Sequence, residues 1–257
     1  MAEPGTATQL SPASVFDRDS VAVVTGASRG VGRAVARSFA AKGLRVMLAA
    51  RSADDLRALD DELTARHGDG RVAHARCDLR SADDIGRLAD ATREHFGGCD
   101  VLVSNAGIGW YKPFLEHTTG EIDDLVRVDL TAPMLLAHAF LPGMIERRRG
   151  LIVHVASDLA RRFLPKMAPY VAAKFGLLGF SGSLLREVKE HGVKVTTVLP
   201  GLIDTSFGGD DPSAEGSRDD SWALRPEELA ARIADLLELP PHVVIDELAV
   251  HPLHQDF

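Results

Sequence analysis

Val21-Ala22-Val23-Val24-Thr25, followed by Gly26-Ala27-Ser28-Arg29-Gly30-Val31-Gly32, is a buried-strand pattern that stops at a glycine-rich turn and reopens as a helix. The glycines permit backbone conformations and close approaches that side chains forbid. A helix starting there directs free N–H groups and partial positive charge at whatever fills the turn, an arrangement suited to a pyrophosphate. Outward from this unit the alternation continues. Strands are expected over 21–24, 45–49, 71–76, 101–104, 151–155, 194–199 and 243–250. Helices are expected near 31–42, 53–66, 82–96, 121–148, 168–191 and 226–238. Short β-branched or apolar runs joined by helical crossovers predict an α/β, doubly wound sheet of seven parallel strands flanked by helices. Gly43, Gly150 and Gly192 are read as closing the first, fourth and fifth helices, with Pro226 in the first turn of the last.

The 257 residues are 45% apolar, 26% charged and 5% aromatic, with a mean hydropathy of -0.01, the composition of a soluble globular chain. The length predicts a single domain over 20–257 behind a flexible N-terminal tail, 1–19, that lacks the basic start and apolar run of a signal peptide. Twenty-nine Lys and Arg against 37 Asp and Glu leave a formal charge of -8, which argues against nucleic acid or an anionic membrane surface as partner. No run approaches 18 consecutive apolar residues, so no membrane span is expected. Cys77 and Cys99 are read as small buried hydrophobes in a reducing, cytoplasmic compartment. The stretch 201–222 carries Gly208, Gly209, Pro212, Gly216 and five Asp without apolar periodicity, and about 202–222 is expected to form a long lid loop.

Tyr170 and Lys174 stand four apart in a helical pattern and so share one face. A phenol with its ordinary pKa near 10 exchanges protons poorly at neutral pH, and an adjacent ammonium together with an oxidised nicotinamide would favour the phenolate. Tyr170 is therefore read as the general acid of a reduction, tuned by Lys174. Ser157 ends the fifth strand at the carboxyl edge of the sheet, where its hydroxyl is expected to hold and polarise a carbonyl oxygen as negative charge develops. Arg51 occupies the place, about 20 residues past the glycine turn, where an acidic residue would accept from ribose hydroxyls. A guanidinium there, with Arg29 in the turn, makes a clamp for a phosphate, so NADP (NADPH) is expected ahead of NAD. Asp54 and Asp55, a turn later, suit the N-terminus of the next helix.

The motifs occur in one order. A G-x-x-x-G-x-G turn after Thr25, Asp78-Leu79, Asn105-Ala106-Gly107, Ser157, Tyr170-x-x-x-Lys174 and Pro200-Gly201 with Thr205 make the chain resemble the short-chain dehydrogenase/reductase family from 21 to about 250. The resemblance implies a Rossmann-like fold and a set of cofactor contacts. These are Gly26, Ser28, Gly30, Val31 and Gly32 in the turn, Asp78 with Leu79 at the adenine, and Asn105, Ala106 and Gly107 along the cofactor. Tyr170 and Lys174 belong to the same set, and Pro200, Gly201, Ile203 and Thr205 lie around the nicotinamide amide. It also implies a homotetramer or homodimer packed through the fourth and fifth crossover helices, with Met134, Leu135, Leu178 and Leu185 as candidate contacts. Asp129 departs from the family pattern, where Asn supports a water leading to the catalytic Lys. An Asp can hold that water or pair with Lys174, altering the pH dependence, or it can solvate a kink in its helix.

Trp110, Tyr111, Phe163, Leu164 and Phe207 follow cofactor or catalytic motifs in loops, and line a substrate pocket or pack in the core. His154 is read as a sheet histidine with a local hydrogen bond, Arg147-Arg148-Arg149 as a solvated helix end, and no metal is assigned. The resulting expectation is an NADP-dependent oxidoreductase moving hydride between a nicotinamide and a carbonyl or secondary alcohol, mainly in ketone reduction. The alternatives are a cofactor-binding regulatory or scaffolding protein with little turnover, and an epimerase or dehydratase, whose longer substrate domain this chain lacks. Acidic residues at Asp210, Asp211, Glu215, Asp219 and Asp220 in the lid would disfavour strongly anionic substrates.

Overall fold

The computed structural model describes residues 14–205, 207 and 222–255. Seven strands, β1 (Val21–Thr25), β2 (Arg45–Ala50), β3 (Val72–Arg76), β4 (Val101–Ser104), β5 (Gly150–Val155), β6 (Val193–Pro200) and β7 (Glu247–Val250), form one sheet. Its order is β3-β2-β1-β4-β5-β6-β7, and every neighbouring pair is parallel. The helices are α1 (Gly30–Ala41), α2 (Ala53–His67), α3 (Ala82–Phe96), α4 (Thr119–Val126), α5 (Ala132–Glu146), α6 (Ala168–Val188) and α7 (Pro226–Asp235). The predicted doubly wound sheet is the observed one.

β1, β4, β5 and β6 are buried along their whole length because helices cover both faces of the sheet. One face, with Ala22, Val24, Leu48, Val101 and Val153, packs against α1, α2 and α7 through Val35, Phe39, Leu56 and Ile233. The other, with Val23, Met47, Leu102 and Ile152, packs against α3, α5 and α6 through Leu88, Leu136, Met144 and Leu185. Removing a side chain such as Leu48 or Leu102 from water contributes roughly 1.5–3 kcal/mol each. Polar caps set the helix starts. The Ser52 hydroxyl accepts from Asp55 N–H, Ser81 from Asp84 N–H, and Thr118 and Glu121 form a reciprocal capping box.

Several boundaries differ from expectation, each for a local reason. The helix expected over 121–148 is divided by a π turn at Arg127–Thr131, which lets Asp129 face inward. Gly150 does not close that helix. It opens β5, and a Cβ there would lie 2.8 Å from Met144 Cβ, so the glycine allows α5 to pack against the strand. The left-handed turn is made instead by Arg148, at φ 50°. β7 spans only the last part of 243–250, since as an edge strand it pairs only with β6, from Thr197↔Glu247 to Pro200↔Val250. The boundary at residue 19 is too late. Phe16 is 3% exposed within the core, and the Ser14 hydroxyl donates to the Leu237 carbonyl at 2.5 Å. Residues 1–13 and all of the expected lid except 202–205, 207 and 222 lie outside the described residues.

The helical run from Thr119 to Glu146, 28 residues, contains an 18-residue window apolar enough for a membrane span by length and composition alone. Its buried residues, Leu125, Leu136, Ala137, Phe140 and Met144, pack in the cores, and it carries the buried Asp129, which gives its apolarity the character of a core helix. Leu185, expected at an oligomer contact, is 5% exposed and packs towards the sheet, whereas Met134, Leu135 and Leu178 are half-buried.

Candidate active site

The strand order reverses direction between β1 and β4, so their following loops diverge and leave a crevice at the carboxyl edge of the sheet. A cleft of about 940 Å³ opens there. Its floor is the turn between β1 and α1. Gly26 and Gly30 adopt φ of 67° and 51°, the left-handed region. A Cβ on Gly32 would overlap the Gly26 carbonyl oxygen and lie 2.6 Å from Asn105 Nδ2. That close approach is maintained from β4, because Asn105 Nδ2 donates to the Thr25 carbonyl at 2.9 Å and Asn105 N–H donates to Thr25 Oγ1 at 3.0 Å. The turn is thus a backbone cradle at a helix N-terminus, with Ser28, Arg29, Gly30 and Val31 facing the cleft.

Arg29 and Arg51 are both exposed and line the same cleft. Asp78 and Leu79 form part of its wall. The Asp78 carboxylate is gripped by the Arg80 guanidinium at 2.6 Å, and that ion pair with its hydrogen bonds holds its pKa down to about 2. Asn105, Ala106 and Gly107 continue the wall towards β5, and Pro200, Gly201, Ile203 and Thr205 close the far side.

Ser157, Tyr170 and Lys174 come together at that far end, from the end of β5 and from one face of α6. All three are buried, at 8%, 7% and 3% exposure. Lys174 Nζ donates to the Val155 carbonyl at 3.2 Å, lies 5.4 Å from the Tyr170 ring centroid and 3.9 Å from Asp129 Oδ1. Asp129 is fully buried, and its Oδ1 accepts the Ile108 N–H at 3.0 Å, while its Oδ2 has no hydrogen-bond partner among the described residues. Burial raises its pKa to about 6 against the opposing pull of Lys174 and the Ile108 N–H. Asp129 thus both braces the loop after β4 and lies beside Lys174.

Lys174 by itself does not depress the Tyr170 pKa in this structure. Burial raises it first, the Asp129 charge raises it further, and a hydrogen bond with Ser157 only partly offsets this. The Lys174 charge faces Asp129 and the Val155 carbonyl, so the phenol stays protonated at neutral pH. His154 Nδ1 lies 2.7 Å from Ser181 Oγ, and burial pushes its pKa down to about 3, leaving the ring neutral.

Of the aromatics expected at a substrate pocket, Trp110, Tyr111 and Phe207 line the cleft together with Leu164. Phe163 does not. It is 83% exposed and stacks on Phe175 of α6 at 5.4 Å, because the backbone turns it outward while Leu164 faces in. Asp158 and Gln255 are among the cleft residues that the sequence reading did not single out as site residues. Asp158 directly follows Ser157, an adjacency that offered a signal. Gln255, which reaches the cleft from the C-terminal segment, lies in no motif and gave none. Among the described residues no three of His, Cys, Asp and Glu gather as a metal site.

The family model described as short chain dehydrogenase matches residues 20–216. Dehydrogenase/reductase SDR family member 7B from Bos taurus is 36% identical over 208 residues, covering 79% of this chain and 64% of that protein. An alcohol dehydrogenase from the archaeon Thermococcus sibiricus, solved with 5-hydroxy-NADP, superposes with a TM-score of 0.86 at 32% identity over 92% of this chain and 98% of its own. A metagenomic short-chain oxidoreductase solved with NADP gives 0.79 at 36% identity, over 91% and 97%.

Proposed function

The chain belongs to the short-chain dehydrogenase family, and from that membership we propose that it is an NADP-dependent reductase of ketones, running in reverse on secondary alcohols. One observation carries the reading: Ser157, Tyr170 and Lys174 converge at one end of a cleft whose other end is a backbone cradle at a helix N-terminus. The cradle fits a dinucleotide, since Gly26 and Gly32 leave no room for a Cβ, and Ser28 to Val31 face the space where a pyrophosphate would lie. Arg29 and Arg51 are the residues that would hold a ribose phosphate. Asp78 and Leu79 would bound the adenine, and Asn105 to Gly107 with Pro200, Gly201, Ile203 and Thr205 the rest of the cofactor.

When bound, the dinucleotide supplies the hydride that reduces a carbonyl carbon, or accepts it in the reverse direction. Ser157 holds the substrate oxygen, and Tyr170 donates its hydroxyl proton to that oxygen as charge develops. The protonated phenol is the acid form that reduction requires, and burial, by raising its pKa, makes it a weaker acid than a free phenol. Lys174, held by the Val155 carbonyl and beside Asp129, keeps its ammonium next to the Tyr170 ring. Trp110 and Phe207 supply an apolar face for the substrate. The outer surfaces of α5 and α6, with Met134, Leu135 and Leu178, are the candidate contacts of a homodimer or tetramer, and the cytoplasm is the proposed compartment.

The test is NADPH and NADH fluorescence titration of wild type and Arg51→Ala, followed by NADPH oxidation with a ketone panel. The reading expects a tenfold preference for NADPH, about 1.4 kcal/mol, that collapses in the variant. Preference for NADH overturns the cofactor assignment, and binding of neither overturns the enzyme.

A further inference from the structure

Asp158 is held at the catalytic end of the cleft by Ser157 and by Gln255, which is itself braced from the loop after β6. Ser157 Oγ donates to Asp158 Oδ1 at 3.1 Å while accepting the Leu159 N–H at 3.2 Å. Asp158 Oδ2 accepts from Gln255 Nε2 at 3.0 Å, and Gln255 Oε1 accepts the Leu202 N–H at 2.8 Å. The carboxylate is therefore held between the end of β5 and the C-terminal segment, lining the same cleft as Tyr170. Its charge reaches the reacting group, since it is one of the influences that raise the Tyr170 pKa. Among the described residues no Lys or Arg forms an ion pair with it, and neighbouring Arg161 is engaged by Glu247.

This placement conflicts with the role of Ser157 unless the substrate resolves it. To hold a carbonyl oxygen, Ser157 must turn its O–H away from Asp158 Oδ1. That leaves an oxygen of the half-buried carboxylate without this donor, in a cleft that Trp110, Leu164 and Phe207 also line. A cationic N–H donor on the substrate replaces the lost bond with a charge-assisted one. An anionic substituent meets the carboxylate as a like charge.

We propose that Asp158 is a specificity-determining residue that selects ketones, and the corresponding alcohols, carrying a protonated amine close to the carbonyl. The proposal rests on the oxidoreductase reading above and names the substrate class of that same site. Gln255 is its positioning residue, holding the carboxylate from the C-terminal segment.

Three ketones of one shape test it: one bearing a dimethylammonium group, its isopropyl isostere and a carboxylate analogue, each assayed for kcat/KM with NADPH. Wild type is expected to prefer the ammonium ketone over the isostere by at least about tenfold and to turn over the carboxylate more slowly than either. Asp158→Asn is expected to compress the ammonium preference below about threefold, and Asp158→Glu to retain its direction. A merely structural role would slow all three substrates alike and leave the ratios unmoved. Turnover of the neutral ketone without an ammonium preference in wild type, or an unchanged ratio in Asp158→Asn, overturns the proposal while sparing the enzyme assignment. Failure to turn over any ketone overturns both, and the wild-type ratio is decisive even if a variant fails to fold.

Discussion

Replacing Asp129 by Asn removes a buried titration while keeping the shape of the side chain and an acceptor for the Ile108 N–H. Burial outweighs the Lys174 charge and raises the Asp129 pKa from its ordinary 3.8 to about 6. A folded-state pKa above the unfolded one means that the folded protein binds the proton more tightly. The stability this contributes is present below the unfolded pKa and is lost as the pH rises through the folded pKa. At about 1.36 kcal/mol per pH unit, the loss over the full window is on the order of 3 kcal/mol, and roughly half of it falls between about pH 5 and about pH 7.5. Asparagine does not titrate, so the stability of Asp129→Asn relative to wild type should rise by about 1.4 kcal/mol across that interval and level off above it. Urea unfolding followed by circular dichroism, with both proteins at matched pH and constant ionic strength, measures the difference. Parallel stability curves from acid to neutral pH would refute the reasoning, because they would mean that Lys174 at 3.9 Å compensates the burial of the carboxylate in full.

Tyr170→Phe deletes the proposed proton donor without changing the ring, and should lower ketone turnover by about 10²- to 10⁴-fold while leaving NADPH binding by fluorescence within about threefold. Loss of nucleotide binding in step with turnover would remove the acid role. Gly32→Ala places a Cβ against the Gly26 carbonyl and 2.6 Å from Asn105 Nδ2, and should weaken NADPH binding by at least about tenfold in the same titration. Phe39, at 0% exposure between α1 and the sheet, should cost about 3–5 kcal/mol of unfolding free energy as Phe39→Ala, read from the urea midpoint at constant slope.

Some features could be read from the chain because short-range chemistry dictates them. Alternating apolar runs and helical patterns, the three glycines after β1, and the four-residue spacing of Tyr170 and Lys174 depend on backbone periods of two and 3.6 and on missing side chains. They survive in any fold that buries those strands, and the seven-strand sheet with its glycine cradle followed from them. The break in the helix expected over 121–148 was less legible, since nothing local distinguishes a π turn from an ordinary one. It is the contact of Asp129 with the loop after β4 that makes use of it. Phe163 and Leu164 are adjacent apolar residues in one loop, and only the path of that loop sends the first onto Phe175 and the second into the cleft. Charge states are more distant still from sequence. Tyr170 and Lys174 by themselves place an ammonium beside the phenol, but burial and the carboxylates of Asp129 and Asp158 raise its pKa. Gln255 meets Asp158 across 97 residues of sequence. The sequence by itself thus determined the fold and the order of its motifs, because turns and periodicity are local. The tertiary structure decided which carboxylates lie among the catalytic groups and how they shift its protons, because burial and electrostatic neighbours exist only once distant segments have packed together.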